Sequence, residues 1–440
     1  MKPASLQIGA AKIDITPPVG CDLTGFGARE GPSLEVRDPL FARALAIKDN
    51  RTQAVVIACD LLGLEAPFVA HVRGAIEREI GVSAQNVMIA SSHTHSGPAC
   101  MFLRNCGDVD AAYMAQLAQR LAQAAREAWD ALRPATVSSG KTQVSGVSTN
   151  RREADGPLDE DLDVVRFDDS DGQPIAAIVG FTCHPIASGS FHRSISADFP
   201  GVLTQQIEAA IGATALYLNG AAAQTNPYFP GASLDFSIGN LEIVQRIGET
   251  LANSALALWP HLKSSRKSTL RVRARQLDLP LQRVNKKSLE SYVNEQAESI
   301  ARTAGAQPGE VARPQYKASV ARLEWAWETR LTLADGTAPK FVTAEVQTLQ
   351  IGDVVFVAVP GELFVELGFA IKQALAPAHA IVAGYANDNI GYIPTRASYP
   401  QGGYEVDDAY RYYGYLAPLA PAAGEQLVDA VKELQRPSRK

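Results

Sequence analysis

The chain has 440 residues, 46% hydrophobic and 20% charged, an ordinary globular composition with room for one large domain or two to three smaller ones. A formal net charge of −6 leaves no basic footprint for nucleic acid. No apolar run approaches the roughly 18 residues of a membrane span, and the start offers no signal-peptide core before Lys12 and Asp14 interrupt it, so the sequence predicts a cytoplasmic protein without stable membrane insertion.

In chain order, residues 8–15 alternate like a strand and end at Thr16-Pro17-Pro18. Residues 23–29 form a glycine-punctuated loop with no helix pattern behind it, hence no phosphate cradle. Residues 41–48 and 53–59 read as strands joined by the turn cluster Asp49-Asn50-Arg51. A helix over 67–80 follows, with Phe68, Val72, Ile76 and Ile80 recurring at i+4. The apolar run Val87-Met88-Ile89-Ala90 is a buried strand that runs out into Ser91-Ser92-His93-Thr94-His95-Ser96-Gly97-Pro98. Extended backbone there would place His93 and His95 on one face. The pair reads either as a metal site or as two satisfied polar residues in a loop.

An alanine-rich helix covers 110–132, and strand character returns over 137–147. Residues 164–167 and 175–181 flank the turn Asp168-Asp169-Ser170-Asp171-Gly172 and predict a hairpin whose second strand exits into Cys183-His184-Pro185. Helices are expected over 200–211 and 241–259. Between them a short strand over 215–218 leads into a turn of small and amide residues, 219–227. Residues 286–327 are charged and helical with a break at Pro308-Gly309, read as a helical pair making a solvated excursion from the core. Strands at 343–349, 354–359 and 381–385 follow. The second exits into Pro360-Gly361-Glu362 and a helix to Leu375, the third into 387–392, and a closing helix spans 426–434. The five cysteines, Cys21, Cys59, Cys100, Cys106 and Cys183, are odd in number and lack C-x-x-C spacing, which argues against a disulfide framework or a thiolate zinc site. A nucleophilic Cys183 beside His184 ranks below the other readings.

The fold class is therefore α/β, a mixed β-sheet core with flanking helices and the active site at strand ends, where α/β proteins collect functional residues. Glu362 alone reads equally as a helix N-terminal carboxylate, and Tyr392 alone as a buried aromatic. Taken together, two or three imidazoles and a carboxylate make a zinc set, and a catalytic zinc keeps a position for water.

These motifs resemble the neutral/alkaline non-lysosomal ceramidase family. The matching stretches are Ser92–Pro98 with its H-T-H, Cys183-His184-Pro185, Pro360-Gly361-Glu362, Asn389-Ile390-Gly391-Tyr392-Ile393-Pro394-Thr395 and, at the start, Ala11-Lys12-Ile13-Asp14-Ile15-Thr16-Pro17 and Arg37-Asp38-Pro39-Leu40. The resemblance covers nearly the whole chain and implies a single ceramidase-like catalytic domain over 1–440, with a helical insertion at about 286–327 and without the family's C-terminal β-domain. It implies Zn2+ held by His93, His184, Glu362 and Tyr392. It also implies that His95 lines the pocket as general base and then acid, and that Arg151, after Asn150, binds a substrate anion or the developing oxyanion. The expected reaction is hydrolysis of an amide (N-acyl) bond with zinc-bound water as nucleophile. One departure concerns the family's G-D-V-S-P turn: Asn226 occupies the serine position and Gln224 the aspartate position, which excludes a serine-dependent step unless Thr225 stands in. Asn226 is then expected to add an oxyanion donor, with Gln224 and Thr225 binding a small-molecule substrate more polar than ceramide. Two other readings stay open: a zinc hydrolase or lyase acting on an ester, lactone or sugar-derived substrate, and an inactive binding protein with a structural zinc. The sequence assigns no oligomeric state.

Overall fold

A computed structural model describes residues 6–231, 235–236, 238–265, 267, 269–307, 310 and 312–436. The predicted break at Pro308-Gly309 lies outside the described residues. The N-terminal half builds a mixed sheet from β1 (Gln7–Asp14), β2 (Phe41–Lys48), β3 (Gln53–Cys59), β4 (Val87–Ser91), β5 (Arg133–Gln143), β6 (Asp161–Asp169), β7 (Pro174–Phe181) and β8 (Thr214–Asn219), in the order β8-β7-β6-β5-β1-β2-β3-β4. The pairings β8–β7 and β3–β4 at the two edges are parallel and the rest antiparallel. A second sheet follows, of β9 (Leu270–Pro280), β10 (Phe341–Ile351), β11 (Val354–Ala358) and β12 (His379–Ala383).

Strands β3, β4, β7 and β11 are apolar on both faces because each sheet is covered twice. One core joins Leu45, Val56, Met88, Val165 and Ile178 of the first sheet to Leu349, Phe356 and Ile381 of the second. The outer face of the first sheet is covered by α1 (Ala66–Ile80), α2 (Ala111–Asp130), α3 (Asp198–Ile211) and α4 (Leu241–Leu258). Helices α5 (Lys286–Thr303) and α6 (Ala312–Asp335) follow α4 in the chain. The outer face of the second sheet is covered by α7 (Val365–Leu375) and α8 (Ala423–Gln435). The result is a layered α/β/β/α arrangement, consistent with the expected α/β class but with two stacked sheets where the sequence suggested one core. Periodicity alone cannot assign doubly buried strands to one sheet or two.

The functional loops meet because the first sheet curls until its edges approach. The Asn219 side chain at the end of β8 spans the gap: its Nδ2 donates to Ser92 O beyond β4, and its Oδ1 accepts from Cys183 N beyond β7. The second sheet closes the ring, with Ser91 N donating to Tyr385 O just after β12.

The α5–α6 pair is not the free excursion its charge suggested. Arg313 pairs with Glu30 at 2.8 Å, Arg104 with Glu328, and Arg322 with Asp408, so α6 is strapped to the body of the protein. Each such part-exposed pair contributes little by itself, but together they fix α6 over the strand-exit end. Among the described residues no helix is long and apolar enough to cross a membrane.

Candidate metal centre and active site

Strand β4 ends at Ser91, and His93 takes a left-handed backbone conformation, φ 71°. The two imidazoles of the H-T-H therefore converge through a turn, not through the strand alternation expected. Their Nε2 atoms stand 3.3 Å apart. His184, beyond β7, joins them, and the nitrogens of His93, His95 and His184 lie within 4.8 Å of one another. Glu362, in the short strand Glu362–Leu363 paired in parallel with Tyr392–Ile393, places Oε2 3.0 Å from His184 Nε2 and 3.5 Å from His93 Nε2.

The hydrogen bonds behind the rings decide their chemistry. His93 Nδ1 lies 2.7 Å from Leu62 O, and His184 Nδ1 2.7 Å from Ala222 O. A carbonyl oxygen only accepts, so both Nδ1 atoms carry the proton and both Nε2 lone pairs face inward. They face the Glu362 carboxylate, another acceptor, and acceptors at 3.0 and 3.5 Å repel unless a cation stands among them. Burial disfavours placing that charge on the rings: it pushes His184 down to about 4 and His95 well below the ordinary imidazole value. Burial would also raise the Glu362 carboxyl, but positive charge and hydrogen bonds from the imidazoles beside it, taken as protonated, hold it well below its ordinary value. A metal cation meets both requirements, and a ring nitrogen donating to a backbone carbonyl is the usual outer support of a metal-binding histidine.

The surroundings fix this geometry. The His93 ring stacks on buried Tyr385, centroids 3.9 Å apart. Tyr413 donates its hydroxyl to Glu362 Oε1 in a short hydrogen bond. Over His95 passes the 23–29 loop, where a Cβ on Gly25, φ +97°, would lie 2.6 Å from the imidazole. The sequence marked this loop only as no phosphate cradle; it is a wall of the site. A cavity of about 230 Å³ opens here, with His93, His95 and Glu362 on its inner side. Tyr392, Tyr404, Tyr412 and Tyr413 line it, as does Lys317 of α6.

The remaining expected residues fall into two groups. Tyr392 lies on the cavity wall and its hydroxyl accepts from Arg151 Nη2 at 2.9 Å. Arg151 was expected to face a substrate anion; its Nε is bonded at 2.8 Å to Glu405, a carboxylate that it shares with Arg152, and its Nη2 is turned to the Tyr392 hydroxyl, which it orients. Arg151, Gln224, Thr225 and Asn226 are not on the cavity wall. Gln224 is a tie within the fold: its Oε1 accepts from Val365 N and its Nε2 donates to Glu366. Thr225 O accepts from His184 N and so sets that histidine's backbone, while the buried Thr225 Oγ1 and Asn226 Oδ1 have no partner. Cys183 is a buried thiol pushed far up by that burial, its Sγ turned to the His184 carbonyl, which does not suit a nucleophile. Sequence reasoning missed Tyr385, Tyr413, Glu405 and Lys317. The run of tyrosines between 404 and 415 was the available signal for Tyr413.

The sequence profile of the family described as "Neutral/alkaline non-lysosomal ceramidase, N-terminal" matches residues 6–226, half of the chain. The chain belongs to the neutral/alkaline non-lysosomal ceramidase family. The neutral ceramidase of Pseudomonas aeruginosa is similar in fold, with a TM-score of 0.74 at 18% identity over 98% of this chain and 74% of that one. A ceramidase solved in complex with C2 is similar as well, with a TM-score of 0.73 at 16% identity over 98% of this chain and 75% of the other. At these identities the two likenesses speak to the ceramidase fold. The assignment places the chain among hydrolases, and its buried histidine group can hold a metal ion.

Proposed function

We propose that this chain is a zinc-dependent hydrolase that cleaves an amide (N-acyl) bond in a substrate smaller and more polar than ceramide. The observation that carries the reading is the convergence of inward-facing imidazole lone pairs on the Glu362 carboxylate, a donor set suited to zinc. His93, His184 and Glu362 would hold the ion, with Tyr392 as the fourth ligand, its oxygen oriented by Arg151. When bound, zinc supplies Lewis-acid polarisation of a carbonyl and a lowered pKa for water.

The chain's own residues do the rest. His95 is neutral because burial holds its pKa down, and its Nδ1 has no partner. As general base it takes a proton from the attacking water, and as general acid it returns that proton to the departing amine nitrogen. The tyrosine walls and the 23–29 loop restrict bulk water around it. Support for a polar substrate comes from the cavity. At about 230 Å³ it is smaller than the roughly 300–1,000 Å³ that encloses a drug-sized ligand, and its walls carry four tyrosines and a lysine.

One set of measurements tests the reading. Metal analysis of the purified protein should find about one zinc per chain, lost in His93→Ala and His184→Ala. His95→Ala should keep the zinc and lose roughly 10²–10⁴-fold in kcat. Because His95 Nε2 lies as close to the centre as its neighbours, a loss of zinc in this variant would make it a third imidazole ligand instead. Soluble N-acyl compounds, lactones and sugar esters should then be compared with detergent-dispersed ceramide. Full zinc in both ligand variants would overturn the metal assignment, and a ceramide kcat/KM within about tenfold of the best soluble substrate would overturn the polar preference.

A further inference from the structure

Away from the metal centre, the cavity is bordered by two cations that form no ion pair among the described residues. Lys317, on the wall, donates to the carbonyl of Arg29 and forms no ion pair among the described residues. The nearest candidate, Glu30, is held by Arg313 at 2.8 Å. Arg29 itself is only 6% exposed and likewise has no carboxylate partner. Its Nη1 and Nε donate to the carbonyls of Thr24 and His192, at 3.0 and 3.2 Å, and its Nη2 is buried with no partner at all. The guanidinium lies 5.0 Å from the Phe26 ring, whose other neighbour is His95, at 4.9 Å between centroids. The charge is therefore close behind the catalytic wall. Its field reaches His95, Cys106 and Lys317, all of which line the cavity.

A buried guanidinium normally has a carboxylate or phosphate against it, because desolvating an unmatched charge is unfavourable. Here the loop carbonyls meet some of its hydrogen-bonding need but none of its charge. Among the described residues, the only acidic one on the cavity wall, Glu362, is committed to the proposed metal centre. The exposed Asn105 adds an amide to the wall near Cys106.

We propose that Lys317, backed by Arg29, forms a subsite for a carboxylate on the substrate, so that the preferred substrates are N-acyl compounds with an anionic group held away from the scissile amide. This rests on the reading that the cavity is the catalytic site. It also gives the α5–α6 pair a purpose, since α6 brings Lys317 to the wall.

The test uses N-acetyl ω-amino acids, from N-acetylglycine to N-acetyl-6-aminohexanoate, each paired with the neutral N-acetyl amino alcohol of equal length. Equilibrium binding by calorimetry and kcat/KM are both measured on the zinc-loaded enzyme. At the best length the wild type should favour the anion by roughly tenfold or more, the worth of a hydrogen bond to a charged group. Lys317→Met should reduce the preference below about threefold, with the larger loss on the anionic member of each pair, and Lys317→Arg should restore part of it. Lys317 is half-buried at the cavity wall, so these variants should fold where an Arg29 variant need not. A preference that survives Lys317→Met but disappears in His93→Ala would mean that the carboxylate sits on the metal, and would overturn the proposal. Turnover of both members without a preference would overturn the subsite and leave the hydrolase reading standing. Lys317-dependent binding of the anions without cleavage would uphold the subsite and sink the amidase reading.

Discussion

Gly25→Ala gives the sharpest test of how the catalytic wall is built. The added methyl carbon would lie 2.6 Å from the His95 ring, against an ordinary carbon–carbon contact of about 3.5 Å, so the two must separate by about 0.9 Å. The ring has little room to retreat. His93 Nε2 is 3.3 Å from its Nε2, and the Phe26 ring stands edge-on 4.9 Å away. The backbone cannot rotate cheaply either, since at φ +97° an alanine is in a region that costs roughly 1–2 kcal/mol. The variant should therefore fold with a Tm lower by about 1–2 °C and keep the proposed zinc, because His93 and His184 are not touched. It should lose about 100-fold in kcat, the usual penalty for misplacing a catalytic group by about 1 Å. The assay pairs metal analysis with kcat on the best substrate from the screen. A folded, zinc-replete Gly25→Ala with kcat within twofold of wild type would show that the loop does not position His95.

Two further outcomes follow from particular contacts. Tyr413→Phe removes the hydroxyl that donates to Glu362 Oε1, and zinc affinity measured by chelator competition should fall roughly 10–100-fold; an unchanged midpoint would show that Glu362 needs no such support. Asp388, whose Oδ1 accepts from Ala66 N at the start of α1, is pushed up by burial to about 6. The folded state then binds a proton that the unfolded state releases near 3.8, so stability declines as pH rises from about 4 to about 6. Asp388→Asn keeps the acceptor and removes the charge, and should add on the order of 1–3 kcal/mol at pH 7 and nothing below about pH 4. Urea melts at both pH values would refute this if the gain were equal.

Much of this centre was legible because its chemistry is concentrated in short motifs. The apolar run 87–90 followed by two histidines, the histidine of Cys183-His184-Pro185 and the glutamate of Pro360-Gly361-Glu362 each mark a strand exit by composition alone. What sequence could not supply was direction. His93 turns inward because of a left-handed backbone, not because of strand alternation. Arg151 looked like a free cation until Glu405, 254 positions later, was found against it. Gln224 likewise looked like a pocket amide until Val365 N and Glu366 took both ends of its side chain. The charged 286–327 stretch was read as solvated because sequence shows how many charges a helix has and not what they are paired with. In the fold α6 contributes a wall of the cavity.

On the proposed assignment, the stacking of the two sheets would make the metal centre a clasp as well as a catalyst. His93 and His184 leave the first sheet, while Glu362 and the stacking partner Tyr385 leave the second. An ion bound among them fastens the halves of the molecule together, and it can do so only once they have docked. Folding and metal loading are then one linked equilibrium: free ion at about 1,000 times its dissociation constant adds roughly 4 kcal/mol to the docked state. A chelator would accordingly be expected to lower the melting temperature of the whole chain, and a substitution deep between the sheets to weaken metal binding without touching a ligand.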